Sequence, residues 1–369
     1  MDLFSFTDEF LIDLGLTLLK IGFILAVTVG FFAPVLTWVE RKQSAIMQDR
    51  IGANRADIMG FTALGLFHII ADALKMFTKE DFIPQGANKI LHTLSPIIAL
   101  VPALLTFAVV PFGGKYELWG HQVNLVISDL DVGLLFVFAI ASLATYGYVV
   151  AGWSSNNNWS LLGSMRTASQ MISYEVTMGL TIIGVLMVYG TMQLSEIGAA
   201  QENFWHWGIF LQPLGFLMFL TASIAENKRI PFDAPEAESE LVAGYFTEYS
   251  GLKFGMFFMA EFIEMVTIGA IVTILFFGGW HIPFVETQDI IDTFNFSWLG
   301  PSIANLIAMG IQVGVFFTKV CIFIFIQMTI RWTLPRFRYD QIMKLGWKIL
   351  LPLSLANIVV TGIVIMALK

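Results

Sequence analysis

Apolar runs of about 20 residues recur along the chain, separated by shorter segments that hold most of the charge. The runs do not alternate with a period of two, so they read as helices rather than strands. About 20 helical residues cross a hydrocarbon core of roughly 30 Å. The pattern predicts spans near 11–39, 90–111, 132–152, 172–190, 207–226, 254–277, 303–330 and 346–367. The expected fold is an all-α polytopic membrane protein of about eight transmembrane helices, built as a single membrane domain over 1–369. Lipid allows only helices or closed barrels to span it, because every backbone polar group must be satisfied internally. No internal repeat is evident.

One segment between the first two spans has its own helical period. Leu64, Phe67, Ile70, Leu74 and Phe77 share an apolar face, and His68, Asp72, Lys75 and Lys79 fall elsewhere. This predicts an amphipathic helix at the inner surface, lying in the interface or packed under the bundle. Asp72 and Lys75 are three residues apart and placed to pair.

Composition agrees with a membrane protein. Of 369 residues 57% are hydrophobic and only 13% charged, against roughly 45–50% and 25% in soluble domains. The single cysteine, Cys321, excludes a disulfide framework and a cysteine-ligated iron–sulfur or zinc site on this chain. The first ten residues carry Asp2, Asp8 and Glu9 and no Lys or Arg, so no cleaved secretory signal is read.

Basic residues set the expected orientation. Sixteen of the 20 Lys and Arg fall on one side, from Arg41 and Lys42 through Arg166, Lys228, Arg229 and Lys253 to Arg336 and Lys348. The other side has only Lys115 and Lys369, while Lys20 and Lys319 lie within spans. Both termini are expected to face outward, away from the cytoplasm-like side.

The candidate chemistry lies on the positive side. The segment after the fifth span, 226–250, holds Glu226, Asp233, Glu236, Glu238, Glu240 and Glu248 against Lys228 and Arg229. Crowded carboxylates repel one another and raise some of their proton affinities. A solvated loop has the same composition, but Pro231, Pro235, Phe232, Tyr245 and Tyr249 point to an ordered, partly buried loop. Ionisable residues inside spans form a second signal: Glu175, Glu261, Glu264, Lys20 and Lys319. Such residues are costly in lipid and usually functional. Glu175, Glu261 and the loop carboxylates suggest a proton relay; structural ion pairs, for instance between Lys319 and a glutamate, are the alternative. A third cluster, Trp38 to Lys42 and Arg50 to Arg55, reads as a positive anchor or as the mouth of a cavity. The five histidines do not pair at one depth inside facing spans, which argues against a bis-histidine haem. No Walker loop or dinucleotide fingerprint is present.

The stretch Ala225-Glu-Asn-Lys-Arg-Ile-Pro-Phe-Asp-Ala-Pro-Glu-Ala-Glu-Ser-Glu-Leu-Val-Ala-Gly-Tyr245 closely resembles a signature of bacterial NADH:quinone oxidoreductase, respiratory complex I. The signature is that of the membrane subunit whose mitochondrial counterpart is NADH dehydrogenase subunit 1. Val39-Glu-Arg-Lys42, Arg50-Ile-Gly-Ala-Asn-Arg55, Ala71-Asp-Ala-Leu-Lys75, Thr78-Lys-Glu-Asp81, Ser173-Tyr-Glu175, Glu248-Tyr-Ser-Gly-Leu-Lys-Phe-Gly255 and Arg336-Phe-Arg-Tyr-Asp340 agree with it. The likeness runs from about residue 20 to the C-terminus.

The resemblance implies eight transmembrane helices at the junction of a peripheral redox arm and a membrane arm. It implies a chamber for ubiquinone or menaquinone, with FMN and iron–sulfur clusters in partner subunits and no redox centre here. The implied partners are the peripheral quinone-site and iron–sulfur subunits, adjacent small membrane subunits and the bilayer, with no nucleic acid. Carried over, Glu175, Glu226, Asp233, Glu236, Glu238, Glu240 and Glu261 form the proton relay. Arg41, Arg55, Asp72, Lys75 and Arg229 line or brace the quinone entrance, with Phe232 and Tyr249 as quinone or loop-packing contacts. Two departures stand out: Gly52-Ala-Asn-Arg55 replaces Gly-Pro-Asn-Arg, and Glu264 takes a place where a neutral residue is expected. The other readings are the related subunit of an energy-converting hydrogenase and a stand-alone proton-coupled transporter.

Overall fold

The computed structural model describes residues 8–294 and 301–368, apart from the side chains of residues 8–10, 238, 239 and 294. The first span, α1, runs from Asp8–Leu25 through a π-helical stretch, Ala26–Phe32, into Ala33–Met47. A loop leads to α2 (Phe67–Thr78) and then α3 (Lys89–Leu105). After α4 (Gly133–Ser154) and α5 (Asn158–Tyr189) come α6 (Pro213–Glu226), α7 (Gly251–Phe276), α8 (Pro301–Thr333) and α9, whose parts together cover Tyr339–Leu368. Among the described residues, seven helices are long and apolar enough to cross a membrane.

The fifth span departs from expectation. Residues 207–226 do not form one helix, because a four-residue turn, Gly208–Leu211, breaks at Gln212 before Pro213 starts α6. A proline disfavours helical backbone at the residue before it, and Gln212 sits at φ −137° and ψ 59°. The Gln212 side chain ties the break to α9: its amide donates to Thr361 at 2.8 Å and accepts from Asn357 at 3.0 Å. At 1.5 Å per residue, the 14 residues of α6 span about 21 Å, so the broken turn is needed to complete the crossing.

Helix α7 is the axis of the bundle, with 78% of its most apolar window buried, against 22% for α1 and for α9. It packs on α3 and α8; α5 packs on α4, α6 and α9. The outward faces of α1 and α9 remain apolar and exposed, as at Leu18, Leu19, Val359 and Ile363, which suits lipid or a neighbouring membrane protein. Buried Thr28, Thr177, Thr181, Thr267 and Thr273 each donate to the carbonyl four residues earlier, hiding a hydroxyl without a distant partner.

Helix α2 forms where the apolar period predicts it. Its Ile70, Leu74 and Phe77 are exposed, so the apolar face is turned away from this chain's core. The expected Asp72–Lys75 pair is not made. Asp72 instead meets Arg41 Nη1 at 2.6 Å, tying α2 to the C-terminal part of α1, and Lys75 is exposed. On the opposite side, β1 (Lys115–Leu118) and β2 (His121–Asn124) form a small antiparallel hairpin. Trp119 and Gly120 turn it with φ of 49° and 84°, the two positive values a tight primed turn needs.

Candidate functional site

The acidic loop is folded into the bundle rather than solvated. Gln170 on α5 donates its amide to the carbonyls of Ala225 (2.7 Å) and Phe232 (2.6 Å). Phe232 is buried between Tyr174 and Phe337, with ring centroids 5.9 and 5.5 Å away. Asp233 accepts from Arg336 at 2.7 Å. Further on, Gly163 of α5 meets Gly244 so closely that a Cβ on Gly163 would lie 2.6 Å from the Gly244 Cα. Gly244 itself has φ +59°, and a Cβ there would strike the Pro235 carbonyl.

This clamp encloses a cavity of about 210 Å³ lined by Lys228, Arg229, Asp233, Glu236, Glu261 and Arg331 among others. That volume holds several waters. The Tyr245 hydroxyl stands between two carboxyls, 3.2 Å from Glu236 Oε1 and 3.0 Å from Glu261 Oε1. A phenol has a single proton to donate. Both contacts are therefore hydrogen bonds only when one carboxyl is protonated and donates to the phenol oxygen. The arrangement is a ready path for a proton from one carboxyl to the other.

Electrostatics favour stored protons here. Burial pushes the Glu236 carboxyl well above the usual carboxylate range, helped by the charges of Glu261 and Asp233 and opposed by Lys228. Burial likewise raises Asp233, to about 6, against the pull of Arg336. The Tyr245 phenol is pushed up by burial and by Glu261 and Glu236, so it stays protonated.

A second, smaller cavity of about 60 Å³ lies deeper, between α3, α4, α5, α6 and α7. Its wall is almost wholly apolar except for Thr106, Glu226, Asn227, Glu264 and Thr267. Beyond it on α5, Glu175 accepts from Ser142 of α4 at 3.1 Å, and its other oxygen is buried with no partner among the described residues. Glu226, Glu264 and Glu175 thus continue the carboxylates of the inner cavity across the bundle.

The remaining predicted residues separate into groups. Arg229 is buried, donates to Glu40 at 2.9 Å and lies 4.4 Å over the Phe262 ring. Glu40 also binds Arg331 at 2.5 Å, joining α1, α8 and the loop. Tyr249 stacks on His92 at 4.0 Å and its hydroxyl meets Ser95 at 2.7 Å; it packs the loop against α3. Glu240 is outside the cavity, paired with Arg166 at 2.6 Å on the surface. Arg41 and Asp72 pair where α1 meets α2, and Arg55 is exposed. The Glu238 side chain lies outside the described residues. Among the described residues Lys319 meets no glutamate: its ammonium donates to the carbonyls of Phe277, Gly279 and His281 and sits 4.5 Å over Trp207.

Sequence reasoning passed over Glu264, Lys228 and Tyr148 as one network, and Glu40 as the shared partner of Arg229 and Arg331. Lys228 is fully buried, 3.7 Å from Glu264 and 3.5 Å over the Tyr148 ring. Tyr148 donates to Glu264 at 3.2 Å. The available signal was that Glu264 follows Glu261 by three residues on one helix, with Lys228 close after Glu226 in the acidic segment.

Fold and site together define an integral membrane protein of bundled helices that encloses carboxylates and cations in neighbouring internal cavities. The NADH dehydrogenase family profile matches residues 19–362. The NADH-quinone oxidoreductase H subunit 1 of Cytophaga hutchinsonii is 47% identical over 326 residues, 88% of this chain and 90% of that protein. The H subunit of the Flavobacterium psychrophilum enzyme is 46% identical over 333 residues, 90% and 92% of the two chains. The H subunit 1 of the Geobacter metallireducens enzyme is 46% identical over 355 residues, 96% and 98%. The chain belongs to the NADH dehydrogenase family, and these relatives are H subunits of NADH-quinone oxidoreductase, an enzyme of several subunits.

Proposed function

We propose that this chain is the membrane subunit of a proton-translocating NADH:quinone oxidoreductase that forms the quinone-access chamber and passes quinone chemistry on as protonation of buried carboxylates. Electrons from NADH arrive through FMN and iron–sulfur clusters in partner subunits, and ubiquinone or menaquinone is the substrate. The exposed apolar face of α2 and the Arg41–Asp72 pair belong to the entrance side, open to the bilayer and to peripheral partners. The reading places the protein in a bacterial inner membrane with both termini periplasmic.

The observation that carries it is the Tyr245 hydroxyl bridging Glu236 and Glu261. Reducing a quinone consumes two protons and changes the charge beside the inner cavity. Carboxyls with raised proton affinity respond to such a change by taking up or losing protons, without any covalent step. Tyr245 passes the proton to α7, and Glu264, Glu226 and Glu175 line the onward route. Asp233, Arg229 and Phe232 hold the loop in register. Among the described residues one span is broken, at Gln212, rather than a pair, which gives the transporter reading little support.

Glu226→Gln tests this, since it keeps shape and removes the exchangeable charge. The complex is expected to assemble at normal levels with quinone reductase activity sharply reduced. Normal activity at normal assembly would remove Glu226 from the route.

A further inference from the structure

We propose that Lys228 carries protons through the wall between the two cavities, from Glu236 on the inner side to Glu264 on the membrane side. The proposal rests on the carboxylate relay above and adds a cationic member to it. Lys228 lines the inner cavity and Glu264 lines the deeper one, and the gap between their charged atoms is 3.7 Å. The wall around them is aromatic: Tyr148 lies under the ammonium and binds Glu264, and the Tyr245 ring is 5.0 Å from Tyr148.

The backbone brings Lys228 there at some strain. It follows the C-terminal end of α6 with φ +55°, the left-handed position that glycine or asparagine ordinarily fills. The chain thereby turns the lysine inward, where its side chain has no exposure. A buried ion pair is weak evidence of stabilisation, because apolar replacements serve as well. A lysine in that place suits exchange instead. An ammonium can hand a proton to a neighbouring carboxylate, whereas a guanidinium stays charged. The field of Lys228 reaches Glu236 and Glu226 as well as Glu264.

The step balances as a proton transfer. The ammonium gives one proton to the Glu264 carboxylate, leaving a neutral amine and a neutral acid. The flexible side chain then takes a proton from the Glu236 acid, restoring the ammonium and leaving the Glu236 carboxylate. One proton moves from Glu236 to Glu264.

The test compares Lys228→Met/Glu264→Gln, Lys228→Arg and Glu236→Gln in the complete complex. Assembly, NADH:quinone turnover and proton uptake by inverted vesicles are measured for each. The neutral pair removes both charges, so assembly is expected to hold while proton translocation falls by about 10²-fold, the loss typical of a removed proton-transfer group. Lys228→Arg keeps the charge and is expected to fail similarly. If the neutral pair does not assemble, Lys228→Gln carries the same expectation, with Glu264 free to neutralise by protonation. Normal proton translocation in the neutral pair or in Lys228→Arg, with Glu236→Gln impaired, overturns the role of Lys228 alone. Normal translocation in Glu236→Gln overturns the relay beneath it.

Discussion

Replacing Glu40 by Gln is the sharpest stability test of how the acidic loop is held. Glu40 is 11% exposed at its side chain and pairs with Arg229, 6% exposed, and Arg331, 25% exposed. The substitution takes from both guanidinium groups the carboxylate they bind directly. Breaking a buried pair on one side costs about 3–5 kcal/mol. The more exposed Arg331 adds at most about 1 kcal/mol, as water screens it. A loss near 4 kcal/mol corresponds to roughly a thousandfold shift toward the opened state. The assay is the thermal midpoint of the detergent-solubilised complex, followed by retained quinone reductase activity, with Asp72→Asn as control. The Arg41–Asp72 pair is 47% and 30% exposed, so breaking it is expected to change stability by at most about 1 kcal/mol. A midpoint for Glu40→Gln equal to that of Asp72→Asn would refute the reasoning that this network anchors the loop.

Three further outcomes follow from the site. Tyr245→Phe keeps the ring packing and deletes the hydroxyl that passes the proton, so turnover is expected to fall by about 10²-fold, the loss typical of a removed proton-transfer group, with assembly unchanged by native gel. Asp233 has its folded pKa raised to about 6, so folding favours its protonated form; its contribution to stability is full below its ordinary range and is lost as pH rises through about 6. Asp233→Asn is expected to flatten that part of the melting-temperature profile. Gly163→Val forces a side chain against Gly244 and is expected to destabilise by about 1–3 kcal/mol or more, read as easier proteolysis of the 226–250 loop.

Most of the fold was legible because lipid imposes one rule: long apolar runs become helices. The spans 132–152 and 254–277 correspond to α4 and α7 within a few residues at each end. The sequence pattern underestimates α5, which begins at Asn158, because Ser160, Ser164 and Arg166 break the apolar run, yet Ser160 and Arg166 bond to the loop at Tyr245 and Glu240 and Ser164 packs on Gly152 of α4. It misses the break at Gln212, since the flanking residues are apolar on both sides and the compensating partners sit on α9, 145 and 149 residues away. The hairpin at 115–124 escaped because Trp119-Gly120 is not a common turn pair. For the site, the burial of Glu226, Asp233 and Glu261 was readable from charge in an apolar setting, whereas Glu240 lies at the surface. Partner choice was not: Asp72 chose Arg41 over Lys75, and Lys319 chose backbone carbonyls over any glutamate. Those choices depend on distances between helices that local spacing does not contain.

The central claim is that the buried carboxylates couple redox chemistry to proton movement, and Glu261 is the member that links the inner cavity to the membrane helices. The most direct measurement is the number of protons moved per NADH oxidised by Glu261→Ala complex in sealed vesicles. The account predicts that turnover is blocked or that it proceeds with little proton movement. Unchanged turnover together with an unchanged proton ratio would contradict it.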